Sequence, residues 1–167
     1  MQLVLNYRKA NLSDFNKLKS LGIESYSEFS SVLTPKNWKK MNSFLKSDAN
    51  LLQLIEQSTV FVCEKESDII GMIYLVPSGN PTEIFHKNWS YIRFLGVNTN
   101  FRGHGIGKKL TDLSLKYAKE TNEKHIALHT SEFMDSARTI YQKIGFRKTK
   151  EIQYLGKRYW IYLLDLN

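Results

Sequence analysis

Between Arg102 and Lys109 the chain reads Arg-Gly-His-Gly-Ile-Gly-Lys-Lys, so that Gly103, Gly105 and Gly107 alternate with larger residues. Glycines at such spacing let a ligand approach the backbone, and the helical pattern that follows opens with unpaired N–H groups at the positive end of a helix dipole. An apolar stretch, Tyr91 to Val97, precedes them. Strand, glycine loop and helix start in that order suit the binding of a phosphorylated ligand. Two common phosphate loops do not fit. A P-loop needs GxxxxGK[ST], but Arg102 stands at its first glycine and Lys109 at the hydroxyl that would meet Mg²⁺. The dinucleotide fingerprint needs GxGxxG, whereas here the third glycine comes one residue early, and the next strand ends in Leu128-His129 rather than in an acid for a ribose.

Other reactive residues point to little chemistry. The single cysteine, Cys63, has no partner for an internal disulfide and lies in the apolar run Val60–Cys63, where a buried thiol is the ordinary outcome. No metal site is expected. The formal net charge of +8 favours anionic partners, but the basic residues are scattered, as in Lys36, Lys39 and Lys40, Lys108 and Lys109, Arg147, Lys148 and Lys150. Nucleic acid is therefore not an expected partner. The first residues lack the pattern of a signal peptide and no apolar run is long enough to span a membrane, so a cytoplasmic protein without membrane association is expected.

A length of 167 residues, 42% hydrophobic, suits one well-buried core, and a single domain over residues 1–167 is expected. Gln2 to Arg8 reads as a first strand. Ser13 or Asp14 then caps a helix with Phe15, Leu18 and Leu21 on one face, which Gly22 interrupts. Further helical regions follow over Ile23–Val32, from Thr34-Pro35 with Trp38, Met41 and Leu45, and from Asp48 through Leu51, Leu52 and Ile55. Thr59–Lys65 and Ile69–Val76 read as a hairpin, Pro77–Lys87 as a long loop, and Trp89–Val97 as the strand before the glycines. The helix Ile106–Thr121 places Ile106, Leu110, Leu113 and Tyr117 on one stripe. A strand His125–Thr130 follows, then a short helix with Ala137, Ile140, Tyr141 and Ile144 that Gly145 ends, and two closing strands, Phe146–Tyr154 and Arg158–Leu166. Strand–helix–strand in the middle implies a parallel pair, and the flanking hairpins make the sheet mixed.

Arg102-Gly103-His104-Gly105-Ile106-Gly107 matches the [RQ]xxGx[GA] signature of the GNAT family of N-acetyltransferases, and Ala137-x-x-x-Tyr141-x-x-x-Gly145-Phe146 resembles that family's AxxLYxKxGF element. The resemblance is clearest over Ile92–Phe146. It implies an α/β fold of one domain, with a mixed, mostly antiparallel sheet of about seven strands flanked by helices, and a central parallel pair splayed for coenzyme A. It also implies acetyl-CoA as co-substrate, with its pyrophosphate held by Arg102, Gly103, His104, Gly105, Ile106, Gly107 and Lys108. Its pantetheine arm would lie along Leu95, Gly96 and Val97.

The reaction so implied is acetyl transfer to an amine of a small molecule or peptide by direct attack in a ternary complex. Tyr141 takes the position of the tyrosine that protonates the departing thiolate in many members, a role that a phenol, protonated at pH 7, can fill. Where many members have an acid at the start of the strand before the loop, this chain has Tyr91. An asparagine common before the second helix is replaced by Met134. Glu83, His86, His129 and a water relaying the proton to solvent are the substitute candidates for a base, and Tyr26 and Phe29 are candidates for the acceptor pocket. The missing acid keeps open an alternative, a non-catalytic acyl-CoA-binding or regulatory domain of the same fold. Self-association as a homodimer is left open.

Overall fold

The computed structural model of the chain describes residues 2–167. Seven strands form one sheet: β1 (Asn6–Lys9), β2 (Thr59–Lys65), β3 (Asp68–Val76), β4 (Ser90–Val97), β5 (His125–Ser131), β6 (Arg147–Tyr154) and β7 (Lys157–Asp165). Their spatial order is β1-β2-β3-β4-β5-β7-β6. Only β4 and β5 run parallel; the other neighbours are antiparallel. Five α-helices cover the faces: α1 (Phe15–Tyr26), α2 (Pro35–Lys46), α3 (Asp48–Gln57), α4 (Ile106–Glu120) and α5 (Asp135–Ile144). This is the mixed, helix-flanked sheet that the sequence predicts.

Apolar alternation divides the core between the two faces of the sheet. On one face Ile73, Leu75, Ile92, Ile126 and Leu128 pack against Ile106, Leu110 and Leu115 of α4 and Tyr141 of α5. On the other, Val62, Met72, Tyr74 and Tyr91 pack with Leu18 and Leu21 of α1 and Leu54 and Ile55 of α3. A third, smaller cluster of Phe29, Leu33 and Leu155 ties the 3₁₀ turn after α1 to the β6–β7 turn, with Tyr26, Trp38, Phe133 and Met134 against it.

Several local expectations give way to tertiary packing. The first strand begins at Asn6, not at Gln2. Asp14 stands at the N-cap position of α1 as expected, but without a side-chain capping bond. A 3₁₀ turn, Leu12–Asp14, precedes it and is capped by Asn11, whose side chain accepts from the Ser13 N–H while the Asp14 carboxylate accepts from the Asn11 N–H. Asp14 is also gripped by Arg8, whose Nη1 and Nη2 each donate at 2.8 Å, while Arg8 Nε donates to Glu64 at 2.9 Å. α1 runs straight through Gly22 to Tyr26, because burial of Leu18, Leu21 and Gly22 against the sheet outweighs the ~1 kcal/mol helix penalty of a glycine. The region Ile23–Val32 is therefore the end of α1 and a 3₁₀ turn, Ser27–Ser31. In α4 the buried line passes through Ile106, Leu110, Thr111, Ser114, Leu115 and Ala118, leaving Leu113 and Tyr117 at its edge. Small hydroxyl residues let that helix sit close to the sheet, and Thr111 Oγ1 returns its proton to the Gly107 carbonyl at 2.8 Å.

Candidate active site

β4 and β5 are paired only at Ser90 with Ile126 and Tyr91 with Ala127. Ser90 Oγ reinforces this end by donating to the His125 carbonyl at 2.7 Å. Beyond Tyr91 the two strands diverge, opening a splay at the centre of the sheet. Its cause lies partly in β4 itself. Arg93 stands opposite Tyr74 and Gly96 opposite Met72, so β4 holds one residue more than β3 over this step. Phe94 takes a left-handed backbone with φ 49°, and the bulge turns the strand away from β5.

The glycine loop joins the open end of β4 to α4. Gly103 and Gly105 adopt φ of +83° and +79°, a region that larger residues rarely enter, and a Cβ on either would project into empty space. Gly107 serves another purpose: a Cβ there would come within 3.2 Å of Ile140 on α5. Gly105 caps α4 without a side-chain hydrogen bond, so the first-turn N–H groups face an open cradle. A diphosphate fits such a cradle by its charge and its acceptor oxygens. His104 is exposed and Ile106 is buried under the loop. Arg102 turns back to the protein. It pairs with Glu28 at 3.0 Å and donates from Nε to the Val97 carbonyl at 3.3 Å and from Nη2 to the Ser25 carbonyl at 3.3 Å. Lys108 pairs along its own helix with Asp112 at 2.9 Å.

Leu95 and Val97 flank Gly96 on the diverging part of β4. Space beside Gly96 is filled by α1 and β3: a Cβ would lie 2.8 Å from Ser25 Oγ and 3.0 Å from Met72 Cε. Its missing side chain is thus accounted for by close helix packing. The Tyr26 phenol donates to the Leu95 carbonyl at 3.3 Å. Tyr141, 4% exposed on α5, stands edge-on to Phe146. Burial lifts its phenol above the ordinary value, and the nearby Tyr26 phenol adds to the rise. Two phenols from helices far apart in the chain are therefore within electrostatic reach of one another.

The three side-chain candidates for a base have different surroundings. Glu83 is exposed in the loop before β4. His86 is exposed too, and its Nδ1 accepts from the Asn88 N–H at 3.1 Å, completing a local turn. His129, on β5, is enclosed by Phe85, Tyr154 and Tyr159, with ring centroids 5.9, 5.9 and 5.5 Å away. Its Nδ1 is buried and unpartnered, and burial, helped by the charge of Arg93, lowers its pKa to about 4. Among the three, His129 alone is drawn into the interior beside the splay. Phe29 and Tyr26 meet edge to face at 5.4 Å, and Tyr26 meets Phe94 in the same way at 5.4 Å, forming an aromatic wall.

Arg93, Phe44 and Tyr154 were not singled out from sequence. Arg93 lies under the rings of Phe44 and Phe94, at 5.2 and 5.0 Å, in electrostatic reach of Tyr91, Tyr154, Tyr26 and His129. The available signal was a lone cation inside the otherwise apolar strand Tyr91–Val97.

The Acetyltransferase (GNAT) family model matches residues 23–146, most of the chain. The chain belongs to the GNAT family. Human N-acetyltransferase 8B is 30% identical over 116 residues, which is 66% of this chain and 46% of that protein. Mouse N-acetyltransferase 8B is 31% identical over 100 residues, 60% of this chain and 41% of that protein. The chain thus spans less than half the length of these relatives. Among solved structures, the PaiA N-acetyltransferase of Thermoplasma acidophilum in complex with coenzyme A superposes with a TM-score of 0.78 at 17% identity, over 98% of this chain and 99% of that one. The ribosomal-protein-S18-alanine N-acetyltransferase of Escherichia coli gives 0.75 at 9% identity, over 98% and 94%. At such identities the likeness is one of fold.

In this GNAT member the two departures from the family pattern have structural roles. Tyr91 is 3% exposed, stacks on Phe85 at 4.4 Å, and has its phenol raised by burial. Met134 precedes α5, its N–H donating to the Ser131 carbonyl at 3.1 Å, and its side chain packs on the cluster of Phe29, Leu33 and Leu155. Both positions contribute packing.

Proposed function

We propose that the protein is an acetyl-CoA-dependent N-acetyltransferase that acetylates an amine of a small molecule or peptide by direct attack in a ternary complex. The observation that carries this reading is the continuity of the splay, the uncapped start of α4 and the buried Tyr141. Bound acetyl-CoA supplies an activated acetyl thioester. The N–H groups of Gly103 to Lys108 hold the pyrophosphate, their dipoles already aimed, and the helix dipole adds to the attraction. The backbone of Leu95 and Val97 pairs with the pantetheine amides. Tyr26 and Arg102 hold the carbonyls of these two residues and so keep the bulged strand in one conformation.

Tyr141 donates its phenolic proton toward the departing thiolate. Burial keeps the phenol protonated throughout the neutral range, so the donor is always present. His129 is neutral at pH 7, and its ring can take the proton released by the attacking nitrogen. Glu83 and His86, both exposed, are less favoured for that step.

Calorimetry with acetyl-CoA, followed by a CoA-release assay over an amine panel, tests the reading; failure of acetyl-CoA to bind would falsify it. Tyr141→Phe is expected to lower kcat at least about tenfold while leaving CoA affinity intact. Binding of CoA without turnover of any amine would favour instead the acyl-CoA-binding or regulatory domain that the packed Tyr91 suggests.

A further inference from the structure

The side of the splay facing α1 and α2 is walled by rings, and one cation stands among them. Arg93 is half-buried on β4, and desolvation lowers the pKa of its guanidinium. The titratable groups that act on it are Tyr91, Tyr154 and Tyr26, with His129 beyond them. Burial raises the phenols of Tyr91 and Tyr26 and lowers the His129 imidazole, so these three are uncharged at neutral pH. Among the described residues no carboxylate reaches it. Other arginines of the structure are paired: Arg8 with Asp14 and Glu64, Arg102 with Glu28, Arg138 with Asp135, Arg147 with Asp165, and Arg158 with Glu132. A guanidinium removed from water without a counter-charge is unfavourable unless an anion arrives to meet it. Phe44 and Phe94 stack on each other at 5.7 Å beside it, so its immediate neighbours are rings that cannot accept its N–H groups as a carboxylate can.

We propose that Arg93 receives a carboxylate of the acceptor, so that the amine acetylated here belongs to an amino-carboxylate with an apolar body. The inference rests on the acetyltransferase reading and adds the acceptor class. A carboxylate, rather than a phosphate, suits the site because Arg93 balances one charge among phenols and rings, while the other nearby cation, Lys40, is exposed and reaches only the Tyr154 ring, at 5.7 Å. Tyr26, Phe29 and Phe94 offer the apolar body a wall on the same side of the sheet. Arg93 is then a specificity-determining residue next to the β4 bulge.

The test uses the CoA-loaded protein and three probes that share a phenylethyl group: 3-phenylpropionate, 3-phenylpropionamide and 2-phenylethylphosphonate. Calorimetry and thermal shift are expected to show the carboxylate binding at least about tenfold more tightly than the amide, the gain from one charge-assisted pair. Arg93→Gln should bring the carboxylate down to the level of the amide, and Arg93→Lys, which keeps the charge but not the fork, should retain part of the difference. Equal binding of acid and amide to the wild-type protein, or no binding of any probe while CoA still binds, overturns the inference and leaves the acetyltransferase reading standing. A preference for the phosphonate, or an Arg93→Gln protein that still prefers the carboxylate, overturns it as well. Failure of the wild-type protein to bind CoA strikes the acetyltransferase reading itself.

Discussion

The half of the site read as the cofactor cradle and the half read as the acceptor chamber are built by different means. The cradle is backbone from one continuous run, Leu95 to Lys108, with glycines where φ must be positive and an uncapped helix start behind them. The chamber is side chains from segments far apart in sequence: Tyr26 at the end of α1 and Phe29 in the turn after it, Phe44 on α2, Arg93 on β4, His129 on β5, and Tyr154 at the end of β6. A ligand common to a family can be bound by groups every residue possesses. A ligand particular to one member must be met by side chains, and those vary without disturbing the fold.

Three perturbations sharpen that contrast. The largest effect is expected from pH, and only in the chamber. His129 takes a proton at about 4 in the folded chain against an ordinary 6.5, so the unfolded chain binds that proton first as the pH falls. Stability should therefore decline as pH drops from about 6.5 to about 4, by on the order of 3 kcal/mol at about 1.4 kcal/mol per pH unit. Denaturant melts across that range should show the decline, and His129→Gln should flatten the part of the slope that belongs to this group. A slope unaltered in His129→Gln would mean that the imidazole is not held neutral by its surroundings.

Gly96→Val probes the point where the two halves touch. Its side chain would press on Ser25 and Met72, with an overpacking penalty of about 1–3 kcal/mol. Urea titration should show the loss, and because α1 carries Tyr26 while β4 carries Leu95, binding of CoA and of acceptor should weaken together. If only CoA binding falls, the halves are more independent than their shared contact implies.

Gly105→Val should have the smallest effect on stability and the most local one. A left-handed residue other than glycine is strained by roughly 1–2 kcal/mol. Released into the loop, that strain is expected to weaken CoA binding about tenfold by calorimetry, while the acid limb set by His129 stays in place. Unchanged CoA affinity would argue that the loop does not hold the pyrophosphate.

How much was legible in advance follows the same division. The hairpin Thr59–Val76, the helix ended by Gly145 and the strand before the glycines could be read because turn residues and alternation act locally. Gly22 misled, since glycine's preference to break a helix is weaker than the burial of the face on which it lies. The stripe of α4 was read through Leu113 and Tyr117, whereas the packed line includes Thr111 and Ser114, because close approach to the sheet favours small residues over strongly apolar ones. Arg93 was passed over for another reason: a charge in a strand says nothing until its neighbours are known.

By itself the sequence determined the order of elements, the positive-φ loop and the uncapped helix start, all of which depend on residues close along the chain. The tertiary structure alone decided that β4 bulges at Phe94 and parts from β5, that Tyr26 comes into electrostatic reach of Tyr141, and that Gly96 is filled by α1. It also decided that His129 and Arg93 share an aromatic chamber in which, among the described residues, no carboxylate acts on Arg93. These features arise from contacts between residues far apart in the chain, where burial and charge depend on which segments meet and no local preference encodes the meeting.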